Sequence, residues 1–264
     1  MKEAIVAGQS FRGFSERVAL VTGGAHGISR AVALQLAAEG AYVILSHPHA
    51  EAEGASVVKE LREIGTLAHS FAADVSNAAD VQRLFAGIEE LYGRLDLLVN
   101  CASLNSQASL AELTAEAWDE TLSVNLKTVF LCTQAAARLL LKRPKAAVVN
   151  LAAETNHDNS SAQSIAYVAA QAGIVGLTKA LARELAPRVR VNCVAVRRGA
   201  GKTHNTTQSD TAAQGDTAEP LAASETLKLV AGNSPAPNEV ARACIYLLSS
   251  DAGCVTGQTL VVGS

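Results

Sequence analysis

Arg17-Val18-Ala19-Leu20-Val21-Thr22-Gly23-Gly24-Ala25-His26-Gly27-Ile28-Ser29 joins a short aliphatic run to a glycine-rich turn and then to a helical pattern. Glycines at such a junction let a strand turn sharply into a helix and let backbone N–H groups approach a phosphate at the helix N-terminus. As a bare pattern the turn is equally a structural one. Its place after a first strand and before a first helix is what a phosphate-binding turn requires.

Working outward, short apolar runs alternate with longer helical stretches. The periodicity predicts strands at Arg17–Thr22, Ala41–Ser46, Thr66–Phe71, Leu95–Asn100, Ala146–Leu151, Val189–Val194 and Thr259–Val262. Helices are predicted near Ile28–Gly40, His49–Ile64, Asn77–Tyr92, Ala115–Leu141, Ala162–Leu185 and Asn238–Leu248. Strands that alternate with helices need crossover connections, hence a mostly parallel sheet with helices on both faces. The fold class expected is α/β, a single Rossmann-like doubly wound domain over residues 1–264. Residues 1–16 read as an N-terminal extension. Gly199–Pro237, polar and with a weak helical signal only near Leu221–Leu229, reads as a mobile substrate-loop region.

Composition narrows the function classes. Of 264 residues 49% are hydrophobic and 18% charged, which suits a packed core and argues against disorder. The net charge of -3 is spread without blocks, so no basic footprint for nucleic acid exists. No run reaches 18 uninterrupted apolar residues, so no membrane span is expected. The N-terminus lacks the apolar run of a signal peptide. Cys101, Cys132, Cys193, Cys244 and Cys254 are scattered and odd in number, which fits reduced thiols in a cytoplasmic protein and no metal site.

Several further blocks carry a resemblance. Thr22-Gly23-Gly24-Ala25-His26-Gly27-Ile28, Ala73-Asp74-Val75, Leu98-Val99-Asn100-Cys101-Ala102-Ser103 and Val124-Asn125-Leu126 occur in order. Tyr167, Ala172-Gly173-Ile174-Val175-Gly176-Leu177-Thr178-Lys179, Val189-Arg190-Val191-Asn192-Cys193-Val194 and Val255-Thr256-Gly257-Gln258 follow. From about Glu16 to Val262 the chain resembles the short-chain dehydrogenase/reductase family, and within it the 3-oxoacyl-(acyl carrier protein) reductases. The resemblance implies nucleotide binding by Gly23, His26, Gly27, Ile28, His47, Asp74, Val75, Asn100 and Ala102. It implies a catalytic set containing Tyr167 as proton donor and Asn125 as support for its helix and a water.

That set is incomplete. The family's Lys, four residues after the Tyr, is here Gln171, which can bond a ribose hydroxyl but carries no charge. A unit charge about 4 Å from a developing tyrosinate is worth about 4 kcal/mol at an effective dielectric near 20. Its loss costs on the order of 10³ in rate. The family's Ser aligns with Ala153 or with Glu154, depending on the anchor chosen. Glu154, anionic at neutral pH, would repel a developing oxyanion. Lys179 lies twelve residues beyond Tyr167, too far to substitute. Ser29, Ser103, Val196-Arg197 and Val262-Gly263-Ser264 replace further family positions, the third of these a Pro-Gly that cups the nicotinamide. Glu154, His157, Asp158 and Ser164 could in principle rebuild acid–base chemistry.

Ser46-His47-Pro48 follows the second strand, with no carboxylate to repel a 2′-phosphate. His26 and His47 could approach such a phosphate, or could simply be exposed on the surface. The cofactor expectation therefore leans to NADP, with NAD or no cofactor as alternatives. Expected partners are a small-molecule carbonyl substrate, no nucleic acid and no membrane. The assembly expected is a homodimer or homotetramer, or a hetero-oligomer with an active relative. The function expected is a carbonyl reductase relative that is weak or inactive in hydride transfer. The alternatives are a non-catalytic nucleotide-binding or scaffold subunit, or a non-redox enzyme using the old pocket.

Overall fold

The computed structural model describes residues 13–48, 51–104, 108–155, 164–197 and 235–263. Most of the expected N-terminal extension, the helix expected near Leu221–Leu229 and nearly all of the 199–237 region lie outside them, as do His157 and Asp158. Seven strands form one parallel sheet in the order β3-β2-β1-β4-β5-β6-β7. They are β1 (Val18–Val21), β2 (Tyr42–His47), β3 (Ala68–Ala72), β4 (Leu97–Asn100), β5 (Ala146–Ala153), β6 (Val189–Val196) and β7 (Thr259–Val262). The helices are α1 (Gly27–Ala38), α2 (Glu51–Glu63), α3 (Ala78–Tyr92), α4 (Ala115–Leu122), α5 (Thr128–Leu140), α6 (Ile165–Leu185) and α7 (Pro237–Leu248).

Alternate residues of each strand serve opposite cores, as the twofold period of a strand dictates. Ala19, Val21, Val43, Leu45, Leu97, Val99, Ala147 and Val149 pack with α1, α2 and α7. Val18, Leu20, Ile44, Leu98, Ala146 and Val148 pack with α3 and α5. With both faces covered, the strands read as continuous apolar runs. The order of strands reverses direction between β1 and β4. In open α/β sheets that switch point opens a crevice beyond the carboxyl ends of the strands.

Two polar devices hold the sheet at its ends. At the amino end, the buried Asp96 accepts from Val18 N at 3.0 Å and from Arg143 Nε at 2.8 Å, with Arg94 Nε at 3.4 Å. Toward the carboxyl end, Asn100 Nδ2 donates to Asn150 Oδ1 at 2.8 Å and to Thr133 Oγ1 at 3.3 Å. Asn150 Nδ2 donates to Thr178 Oγ1 at 2.9 Å, and Thr178 Oγ1 donates to Ile174 O at 2.8 Å. This buried ladder ties β4 and β5 to α5 and α6.

The helix expected over Ala115–Leu141 is interrupted. Ser123–Lys127 forms a π-helical turn between α4 and α5, with Asn125 at its centre. π-bulges of this kind frequently mark functional sites. β5 and β6 each run two residues beyond their expected ends, which brings Ala153 and Val196 to the crevice. α6 is long and apolar enough to cross a bilayer by composition, although no uninterrupted 18-residue run exists. Here it packs on β5 and β6, with Ala166, Ala170, Ile174 and Thr178 buried, so it is a core helix.

Candidate functional site

The glycine turn leaves β1 and folds back over the exit of β4. A Cβ on Gly23 would come within 2.6 Å of Ala102 N and 2.7 Å of Cys101 C, at a φ of +97°, so only glycine fits. Gly24 N donates to Ser46 O at 2.9 Å, which fastens the turn to β2. Gly27, at φ +49°, has no heavy atom within 4 Å of its would-be Cβ, so the outer side of the turn is open. The N-terminus of α1 carries no side-chain cap from His26 and no acidic residue in its first turn. Its backbone donors and positive dipole end therefore stand ready for an anion.

The other expected nucleotide contacts distribute unevenly. Asp74 and Val75 follow β3, and Asp74 Oδ1 accepts from Ser76 N at 2.9 Å and from Ser76 Oγ at 2.7 Å, which shapes that turn. Asn100 faces inward and spends its amide nitrogen on the ladder, while its Oδ1 is buried with no hydrogen-bond partner among the described residues. Ile28 and Ala102 are half-buried beside the turn. His26 is exposed, as one reading of it expected. His47 is not, at 4% exposure. Its ring lies against the backbone of α2, 2.3 Å from where a Cβ on Gly54 would stand. Ser46, missed as a site candidate, is fully buried near the end of β2, and its Oγ has no hydrogen-bond partner among the described residues.

Beyond β4 the arrangement changes character. Tyr167 and Gln171 sit one turn apart on the same face of α6, 2% and 1% exposed. Ser164 caps that helix, its Oγ accepting from Tyr167 N at 3.2 Å. Gln171 Oε1 accepts from Ala153 N at 2.8 Å, and Gln171 Nε2 donates to Asn125 Oδ1 at 3.2 Å. The first bond has a topological cause. Glu154 N donates to Val196 O on the β6 side, so the alternate Ala153 N–H faces the β4 side, where β4 has already ended at Asn100. Asn125 is a hub: its Oδ1 also accepts from Ser103 Oγ at 2.9 Å and Leu104 N at 3.1 Å. Its Nδ2 donates to Thr121 O at 2.8 Å and Leu104 O at 3.0 Å. The sequence thus brings Asn125, Gln171 and Ala153 together, but in a network that serves the fold.

Glu154 requires a correction. Read from sequence as a repulsive carboxylate, it is neutralised by Arg197, which stands in place of the Gly of the family's Pro-Gly. Arg197 Nε donates to Glu154 Oε2 and Arg197 Nη2 to Oε1 at 3.1 Å, a two-pronged ion pair. The hydrogen bond that the guanidinium donates to Glu154 raises its pKa. The pair is legible only once β5 and β6 are known to be neighbours with Ala153 opposite Val196.

Four of the five thiols are kept protonated by their environment, Cys254 being exposed. Burial pushes Cys132 and Cys193 up to about 12 and raises Cys101 and Cys244 as well. A separate cleft of about 580 Å³, bordered by Ala55, Lys59, Arg62, His69 and Ser70, lies at the β3 edge of the sheet, away from the crevice. Its polar groups are partly spent: Arg62 Nη2 donates to Ala68 O at 3.0 Å, and His69 Nδ1 bonds Tyr92 OH at 2.7 Å.

Tested against this geometry, a nicotinamide dinucleotide fits in its first half. The open face at Gly27 and the start of α1, which has no side-chain cap, suit an anionic nucleotide. Over β5 and β6 the residues present do not fit its second half, because Glu154, Arg197 and Gln171 are already engaged with one another or their neighbours, which leaves only the hydroxyl of Tyr167 without such a bond among the described residues.

Comparison with known proteins agrees with the fold. The family model described as short chain dehydrogenase matches residues 17–213. The chain is 36% identical over 251 residues to (2S)-((R)-hydroxy(phenyl)methyl)succinyl-CoA dehydrogenase subunit BbsD of Thauera aromatica, covering 95% of this chain and 96% of that protein. It is 37% identical over 178 residues to the 3-oxoacyl-(acyl-carrier-protein) reductase FabG of Staphylococcus aureus, 67% of this chain and 72% of that protein. A dehydrogenase/reductase structure from Sinorhizobium meliloti 1021 superposes with a TM-score of 0.81 at 29% identity, covering 96% of each chain. A seven-stranded parallel sheet, a glycine turn at its switch point and these relatives lead to one statement: the chain belongs to the short-chain dehydrogenase/reductase family.

Proposed function

We propose that this member of the family binds a nucleotide in the crevice and performs ordinary hydride transfer poorly or not at all. The observation that carries the reading is Gln171. In the position where the family pattern has a Lys, its amide is spent on Ala153 N and Asn125 Oδ1. A bound NADPH or NADH would supply a hydride. This chain would supply Tyr167 for the proton, without a cation at position 171 to favour its departure. The missing charge alone is worth a rate loss on the order of 10³. NADP remains the favoured dinucleotide because no carboxylate stands at the end of β2 to repel a 2′-phosphate. The substrate class to offer first is a 3-oxoacyl thioester, since both named relatives carry an acyl thioester in their names.

Calorimetric titration and thermal melts with NADPH and NADH test the binding half. Ligand at 100 times its dissociation constant adds about 2.7 kcal/mol of stability. Oxidation of NADPH with a 3-oxoacyl thioester then tests the chemistry. Turnover within the usual enzyme range of about 1–10³ s⁻¹ overturns the reading.

A second reading, a subunit beside a catalytically intact relative, has one observation in its favour: the Thauera relative is itself named as a dehydrogenase subunit. Exposed apolar Phe130 on α5 and Ile165 on α6 leave room for such an interface. Co-purification of an intact relative from the native host, with activity that needs both chains, supports it. Activity of the partner that is indifferent to this chain refutes it.

A further inference from the structure

A dinucleotide in a doubly wound sheet lies across the switch point, one mononucleotide over each half of the sheet. Its second half must therefore lie over the carboxyl ends of β4, β5 and β6. In this chain those ends are occupied by Glu154 and Arg197. Both backbones are pinned, Glu154 N to Val196 O at 2.9 Å and Arg197 N to Val262 O at 2.8 Å. Arg197 is also backed by the chain leaving β7: a Cβ on Gly263 would stand 2.9 Å from Arg197 O and 3.0 Å from Arg197 Cβ. The two side chains then close on each other through both carboxylate oxygens. Beside them Gln171 fills its acceptor with Ala153 N. Over the first half of the crevice the opposite holds. Among the described residues a Cβ on Gly27 would meet nothing within 4 Å, and α1 has no side-chain cap.

Resting on the reading of the crevice as a nucleotide site, we infer that the Glu154–Arg197 pair closes the second half, so that the ligand held is a nucleoside diphosphate moiety rather than a whole dinucleotide. Glu154, Arg197 and Gln171 already bond one another or their neighbours, so a second mononucleotide reaching past Tyr167 would have to break those bonds to use them. A dinucleotide then binds through its adenosine diphosphate portion alone, with the nicotinamide outside.

The wild-type protein tests this by titration with ADP, ADP-ribose and NADH at one ionic strength. The expected dissociation constants agree within threefold. Saturation-transfer NMR with bound NADH is expected to label the adenine protons and leave nicotinamide H4 unlabelled. NADH binding tenfold or more tighter than ADP, or strong transfer to H4, overturns the inference while leaving nucleotide binding intact. No binding of any of the three overturns the nucleotide reading and the inference with it. In Glu154→Ser/Arg197→Gly the second half opens, and the NADH-to-ADP affinity ratio is expected to rise at least tenfold. An unchanged ratio in a folded double variant overturns the inference. Where that variant does not fold, the wild-type ratio and the H4 signal decide.

Discussion

Replacing Gln171 with Met isolates the bond that the topology demands. The side chain keeps its length and volume but loses the acceptor for Ala153 N and the donor to Asn125 Oδ1. Asn125 Oδ1 retains Ser103 Oγ and Leu104 N, so it is not orphaned. Ala153 N has no such reserve, because β4 stops at Asn100 and no strand lies opposite. A buried amide left without a partner costs about 1–3 kcal/mol. At roughly 2–4 °C per kcal/mol for a domain of this size, the midpoint is expected to fall by about 2–12 °C. Thermal melts measure the fall, and amide hydrogen exchange places it: Ala153 N–H should exchange faster, and the amides around Asp96 should not. Gln171→Lys is expected to lose at least as much, since it orphans the same amide and buries an ammonium besides. Restoring the family's Lys in one step is therefore a stability loss before it is a catalytic gain. A Gln171→Met midpoint within 1 °C of wild type, with unchanged exchange at Ala153, refutes the structural role given to this amide.

Four further outcomes follow from the geometry. Gly23→Ala places a Cβ 2.6 Å from Ala102 N in a left-handed conformation, so stability should drop by about 3 kcal/mol in a denaturant titration and nucleotide binding should be lost. Gly27→Ala meets no protein atom within 4 Å, so it should cost about 1–2 kcal/mol of stability for its φ yet weaken calorimetric nucleotide affinity more than tenfold. Asp96→Ala strands Val18 N and two arginines at the far end of the sheet, and should cost about 3 kcal/mol with affinity unchanged. Cys132 and Cys193 hold their protons up to about pH 12 when folded but ionise near pH 9 when unfolded. The unfolded state then binds fewer protons above pH 9, so the stability these two thiols contribute is full below that pH and falls by about 3 kcal/mol per pH unit above it, in addition to the share of Cys101 and Cys244. The Cys132→Ala/Cys193→Ala variant should lose that share of the slope in urea titrations and keep the share of Cys101 and Cys244.

The sheet was legible because both of its faces are covered, which makes strands such as Val18–Val21 and Val148–Val149 uniformly apolar and easy to separate from helices. The π turn was not. The apolar periodicity runs unbroken through Ser123–Lys127, and the turn is set by the tertiary bonds of Asn125 to Leu104, Ser103 and Gln171. The ends of β5 and β6 were read short because Ala152-Ala153 carries little strand preference; pairing with Ala195-Val196 extends them. Strand order likewise hid the partner of Glu154, forty-three residues away in sequence and adjacent in space. His47 was read as potentially exposed because its burial depends on Gly54 in the next helix, whose missing side chain admits the ring.

The ladder from Asn100 through Asn150 to Thr178 limits how this protein can be recombined. Apolar contacts between a helix and a sheet tolerate sliding, but a hydrogen bond of 2.9 Å does not survive a shift of one helical turn, about 5.4 Å. Grafting α6 from a catalytically complete relative, a direct route to importing a Tyr and a Lys together, therefore succeeds only if the incoming helix presents a hydroxyl at position 178 to Asn150. The unit of exchange is not the helix but the helix with its strand.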